Sequence, residues 1–213
     1  MEKYIRLTER DDEIIQAMCL RVKFFSQRQV MDHWFEGDAA NARRRMKQLA
    51  SIGLIDRVSL RARSLPVFSS PLISWVPGQA EPEFGKVAHA CSSRWRKRHV
   101  QSCTAYLATE RASQRFGGRM HGEVKREMQA THDLGVSQIW IQLDLQSPDL
   151  ADAWRGEDVM APSRKGQKLP DGFIVDSNGN TLSVIEFGGS YDESRIRDFH
   201  EDCFARSLPY QLW

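Results

Sequence analysis

Residues 169–187 constrain the fold more than any other stretch: an apolar run, then Asp176, Ser177, Asn178, Gly179 and Asn180, then a second apolar run. Asn-Gly between β-rich segments is a strong hairpin signal, because both central residues of a type I′ turn need positive φ. If Asn178 and Gly179 form a two-residue turn, cross-strand partners sum to 357 and Asp171 stands opposite Glu186. Opposed residues have Cβ atoms about 4.5–5.5 Å apart on one face of a sheet, so the two carboxylates sit side by side. Phe173, Val175, Leu182 and Val184 share that face. Burying two like charges among them is costly without a cation, and paired hard oxygen ligands suit Mg²⁺ or Mn²⁺. The alternative leaves both carboxylates exposed at strand ends, with Pro170 and Gly188 marking loop entries.

A chain of 213 residues, 41% of them hydrophobic, is able to bury one sizeable core or two modest ones; two packed domains are expected. No run approaches the ~20 apolar residues of a membrane span, and the acidic start after Met1 lacks a secretory signal, so a soluble, cytoplasmic protein without membrane partners is expected. Cys19, Cys91, Cys103 and Cys203 are too scattered for a zinc or CxxC motif, and the six histidines form no cluster. The net charge of +2 hides an asymmetry. Residues 1–126 carry 23 Lys and Arg against 13 Asp and Glu, whereas residues 127–213 carry 7 against 15. A basic front suits a polyanion, and an acidic rear suits a cation site or a solvated surface.

The first third reads as three helices and a hairpin. Thr8 precedes Glu9, Asp11, Asp12 and Glu13, then Ile14, Ile15 and Met18 at helical spacing, an N-capped amphipathic helix. Ser26 caps a short second helix through Val30, Met31 and Trp34, broken at Gly37. Asp38 caps a third over residues 39–51, with Ala42, Met46 and Leu49 inward. Its other faces carry Asn41, Arg43, Arg44, Arg45, Lys47 and Gln48, side chains suited to phosphates and base edges. Residues 54–60 and 73–76 are expected as two strands joined by a loop holding Arg61 and Arg63. Together these resemble a winged helix-turn-helix that binds DNA. A protein-interaction module with a solvated basic face is the alternative.

Residues 78–85, with Pro82 and two glutamates, read as a linker. Beyond it, Arg94, Arg96, Lys97, Arg98 and His99 surround Trp95. This cluster fits a grip on a phosphate backbone with a stacking ring, and fits an exposed basic helix equally well. Residues 103–109 are β-like and 110–116 helical until Gly117 and Gly118. The apolar positions of 136–145 suit a strand or a helix.

Five short motifs occur in order: His132-Asp133-Leu134, Trp154-Arg155-Gly156-Glu157, Pro170-Asp171-Gly172, Ile185-Glu186-Phe187-Gly188 and Pro209-Tyr210. The order resembles the replication-relaxation family and related MobC-type plasmid relaxases. That resemblance implies an α+β protein: an N-terminal winged helix-turn-helix over 1–77, a linker over 78–85, and a restriction-endonuclease-like PD-(D/E)XK α/β domain over 86–213. It makes 132–153 the first core helix, puts Glu157, Asp171 and Glu186 on three successive strands, and adds a helix over 193–206 and a last strand over 210–213. Glu157, Asp171 and Glu186 would then ligate Mg or Mn for phosphodiester cleavage on plasmid or mobile-element DNA. Gly188 stands where the E-x-K pattern has its lysine. The nearest replacements are Arg195 and Arg197 on the following helix, ahead of Lys165 and Lys168, although arginine is a poor proton shuttle. His200 is a general base or, preferably, a core histidine. The resemblance thus implies a DNA nickase, or a non-catalytic DNA-binding regulator whose nuclease-like domain is a scaffold or homodimer surface. An adaptor that touches no nucleic acid ranks last.

Overall fold

Along the chain run α1 (Glu9–Leu20), β1 (Phe24–Ser26), α2 (Gln27–Trp34), α3 (Ala39–Ser51), β2 (Ile55–Arg63), β3 (Ile73–Trp75), α4 (Phe84–Ser93), β4 (Val100–Ala108), α5 (Glu110–Phe116) and α6 (Glu127–Gln146). They are followed by α7 (Pro148–Ala153), β5 (Trp154–Gly156), α8 (Glu157–Met160), β6 (Gly172–Val175), β7 (Thr181–Glu186), α9 (Glu193–Ala205) and β8 (Tyr210–Leu212). This computed structural model describes residues 5–118, 127–164 and 168–213; Lys165 lies outside them. The protein mixes α and β. It divides into two compact units, Met1–Arg63 with Val100–Ser137, and Ser64–His99 with Gln138–Trp213.

In the first unit the three helix starts are fixed by the expected caps. Thr8 and Asp11 form a capping box at α1, Ser26 and Gln29 form one at α2, and the Asp38 carboxylate accepts from the N–H groups of Ala40 and Asn41 at α3. Ile14, Ile15 and Met18 of α1 meet the core with Ala42, Met46 and Leu49 of α3, each large side chain contributing roughly 1.5–3 kcal/mol by leaving water. The sheet is antiparallel in the order β1-β4-β2. Here the expected hairpin is corrected. β2 pairs with β4, from Ile55↔Ala108 to Arg63↔Val100, and not with 73–76. Pairing is decided by what each strand buries, and β3 buries Ile73 and Trp75 in the core of the other unit.

The second unit holds a five-stranded sheet in the order β3-β8-β7-β6-β5. β5, β6 and β7 form an antiparallel meander, α9 carries the chain over to β8 parallel with β7, and β3 closes the far edge antiparallel to β8. One core joins α4 and α9 to this sheet through Phe84, Cys91, Phe173, Val184, Ile196 and Phe199. The division into units therefore departs from the expected 1–77, 78–85 and 86–213. The chain leaves the first unit after Arg63 and re-enters it at Val100, and residues 78–85 lie within the second unit. The ambiguous 136–145 segment is helical; α6 ends at Gln146, and Pro148, which lacks an N–H, opens α7 rather than continuing one helix to residue 153.

Candidate functional site

The expected 357 register holds from Gly172↔Ile185 to Ile174↔Ser183, and it is reached by an unexpected route. The turn is longer than two residues. Asp176 N–H donates to the Asn180 carbonyl, Gly179 N–H donates to the Asp176 carbonyl, and Gly179 takes φ +83, a conformation glycine adopts without steric cost. The Asp176 carboxylate accepts from the N–H groups of Asn178 and Asn180, each at 2.8 Å. Such a loop alone would slip the register by one, as Val175↔Thr181 shows. A bulge at Leu182 restores it, and Leu182 consequently turns outward, 53% exposed, rather than joining Phe173 and Val184.

Asp171, one residue before β6, and Glu186, the last of β7, are thereby brought together. The Asp171 N–H donates to Glu186 Oε2 at 3.3 Å and the Phe187 N–H to Asp171 Oδ2 at 2.8 Å. Tyr191, which sequence reasoning missed, donates its hydroxyl to Glu186 Oε1 at 2.5 Å. Burial raises the Tyr191 phenol pKa far above its usual range, and the neighbouring Glu186 and Asp171 charges raise it further, so it remains a donor. Its signal was slight: one aromatic between Gly188-Gly189 and the α9 N-cap Asp192. Beside it, burial pushes the Cys203 thiol up to about 12, with Asp202 and Glu186 adding to the effect.

Of the other expected site residues, Glu157 does not lie on a strand. Pairing of β5 stops at Gly156↔Gly172 and Glu157 opens α8, where an acidic residue in the first turn favours the helix. The Arg195 guanidinium stacks 3.9 Å from the centre of the Tyr191 ring, one side chain removed from the carboxylates. Arg197 turns to the Phe84 ring and to Glu193 at 3.0 Å. Lys168 donates to the Asp198 carbonyl. His200 is a core histidine, 2% exposed, with Nδ1 2.9 Å from the Tyr210 hydroxyl and its pKa lowered by burial.

Two of the three expected ligands, Asp171 and Glu186, are thus adjacent. Among the described residues, no group of three or more His, Cys, Asp or Glu side chains is placed to hold a metal. Three of the four oxygens of Asp171 and Glu186 already accept from the chain itself. Nor is there room for the missing lysine: a Cβ on Gly188 would lie 2.9 Å from the buried Cys91 Sγ and 3.3 Å from the Trp213 carbonyl oxygen.

The candidate DNA face of the first unit sorts its residues by partner. Arg45 binds buried Asp11 bidentately, Nε to Oδ1 at 2.9 Å and Nη2 to Oδ2 at 2.5 Å, and also reaches Gln48 and the Arg6 carbonyl. Burial by itself would raise the Asp11 carboxyl, but Arg45 and the Thr8 hydroxyl and N–H together hold it below the usual value. Arg45 therefore locks α3 to α1, and Gln48 orients it. Arg43, Arg44 and Lys47 remain exposed, and Asn41 accepts from Arg44 at 2.8 Å. On β2, Arg57, Ser59, Arg61 and Arg63 recur at every second position and are all exposed, opposite buried Leu60 and Ala62. Arg61 lies 3.8 Å from Glu127. Arg57 was overlooked, although the alternation extends to it. Burial raises the Tyr106 phenol pKa, and the charges of Arg57, its cross-strand partner on β2, and of Arg43 offset part of that rise.

No protein-family model matches the chain, and no curated protein or solved structure matches it either.

Proposed function

We propose that this protein binds DNA through a winged-helix module formed by its first unit, and that its second unit is a PD-(D/E)XK-like scaffold without nuclease activity. The observation that carries the reading is the exposed basic surface of Arg43, Arg44 and Lys47 on α3, with exposed Arg57, Arg61 and Arg63 alternating along β2. The α2–α3 pair supports it: residues 35–38 link the helices and Gly37 takes φ +84, the short glycine-containing turn of a helix-turn-helix. The second helix of such a pair enters the major groove, and Arg43, Arg44 and Lys47 lie on that helix. The order of α6, the β5–β6–β7 meander, α9 and parallel β8 supports the nuclease-like reading of the second unit. The replication-relaxation resemblance read from the sequence implies a DNA target on a plasmid or mobile element.

Gly188, pressed against Cys91, and the self-satisfied carboxylates favour scaffold over catalyst. The adjacency of Asp171 and Glu186 is the one observation in favour of a Mg- or Mn-dependent nickase. A gel shift and a supercoiled-plasmid nicking assay on one preparation, with and without Mn²⁺, separate the readings. The expected result is a shifted plasmid that stays supercoiled. Metal-dependent open circles that vanish in Asp171→Ala would establish the nickase instead, and no shift with any DNA would end both.

A further inference from the structure

The Arg94-Trp95-Arg96-Lys97-Arg98-His99 stretch is neither a helix nor a platform for a base. It is a fixed turn at the end of α4, with the Trp95 N–H donating to Ser92, the Arg96 N–H to Ser93 and the Arg98 N–H to Trp95, and with Lys97 at φ +65. Trp95 is turned inward, 7% exposed, with its indole N–H donating to the Gly189 carbonyl at 2.8 Å and its ring edge-on to Phe187. Arg94 is held over the Phe68 ring and Arg98 donates to the Leu65 carbonyl at 3.1 Å. Arg96 and Lys97 are left exposed, and neither forms an ion pair among the described residues. The turn is moored to Gly189, which lies between Glu186 and Tyr191, and so sits at the same end of the sheet as the paired carboxylates.

We propose that this turn is a second DNA contact, carried by the second unit, in which Arg96 and Lys97 bind the phosphodiester backbone by charge alone. Two cations on a rigid turn suit phosphates at a fixed spacing. Single-strand binders add stacking on exposed aromatic rings, and the ring here is spent on the Gly189 anchor, so the contact does not favour single strands. An anionic membrane surface would call for apolar side chains beside the charges, whereas Trp95 and Phe68 are both buried. The proposal extends the DNA-binding reading but stands on other residues.

The test is fluorescence anisotropy of the full chain with a labelled duplex and the matching single strand across a salt series. Wild type is compared with Arg96→Ala/Lys97→Ala and with Arg43→Ala/Arg44→Ala/Lys47→Ala, the melting curve of each variant confirming its fold. Each phosphate contact contributes about 0.9 to the slope of log affinity against log salt on duplex DNA, so the double variant should flatten the slope by up to about 1.8 and weaken the duplex at least as much as the single strand. An unchanged slope in the double variant with a flattened one in the triple variant overturns this contact and leaves the α3 reading standing. The reverse pattern upholds this contact and removes the α3 reading. A loss confined to single strands, or binding by wild type to phosphatidylserine vesicles but not to DNA, also overturns it.

Discussion

On α3, three cations end in water and a fourth ends on a buried carboxylate; at the β6–β7 end, two carboxylates end on N–H and O–H groups of their own chain. The two regions look equally reactive as sequence, since each is a cluster of like charge. They differ in what the fold does with that charge. Exposed cations keep their capacity to meet a partner and give little stability, whereas satisfied carboxylates organise a turn and give up much of their capacity to bind. Arg45 belongs with the second group although it lies among the first.

Exchanging members of the two groups should reveal that difference. The largest effect is expected from Arg45→Ala, which leaves Asp11 buried without its partner and should lower unfolding free energy by about 3–5 kcal/mol in urea titrations. Arg44→Ala, one position away, should stay within about 0.5 kcal/mol of wild type; equal losses would erase the distinction drawn here. The same pair sets an acid limit. Because folding depresses the Asp11 pKa, its contribution is present above the usual carboxyl value of 3.8 and is lost as pH falls through the lower folded value. Asp11→Asn should therefore be less stable at neutral pH and show a flatter acid limb than wild type.

Next in size is Gly188→Ala, whose methyl group must displace Cys91 or the Trp213 backbone; about 1–3 kcal/mol should be lost, as for an overpacked core. A neutral result would show that the lysine position is open after all. Tyr191→Phe removes the donor to Glu186 and should cost about 1–2 kcal/mol. If it instead creates Mn²⁺ binding detectable by calorimetry, the hydroxyl was occupying a metal's place. The smallest change is expected from Arg195→Leu, about 0.5–1 kcal/mol for an exposed guanidinium on a ring, read as a small fall in Tm.

Features of the fold that depend on nearby residues were legible in the sequence. The three N-caps each involve a side chain and an N–H two or three residues away, so Thr8, Ser26 and Asp38 could be read directly. The Asp171–Glu186 register was legible because a pleat repeats every two residues, although the turn and the Leu182 bulge reach it by offsetting each other. Choices among distant partners were not legible. β3 has three residues and β4 nine, and nothing within either says which one meets β2. Helical spacing places Arg43, Arg44 and Arg45 on one basic turn, but the residue that sorts them, Asp11, lies 34 positions earlier. Trp95 among five basic residues suggested a stacking platform, and its actual acceptor, the Gly189 carbonyl, is 94 positions away.

The insertion of residues 64–99 between β2 and β4 also sets a timetable for folding. As the chain is synthesised, β2 has no partner until residues 100–108 appear, and Ile73 and Trp75 have none until Leu212 and Tyr210 follow. At about 5–20 residues per second, β3 waits for its strand partner while every residue between Trp75 and Tyr210 is made. β8 is the strand on which both β7 and β3 close, so the five-stranded sheet is completed only once β8 is made. Long-range closure of this kind folds slowly, and during that interval the nascent protein is most exposed to aggregation and to proteases.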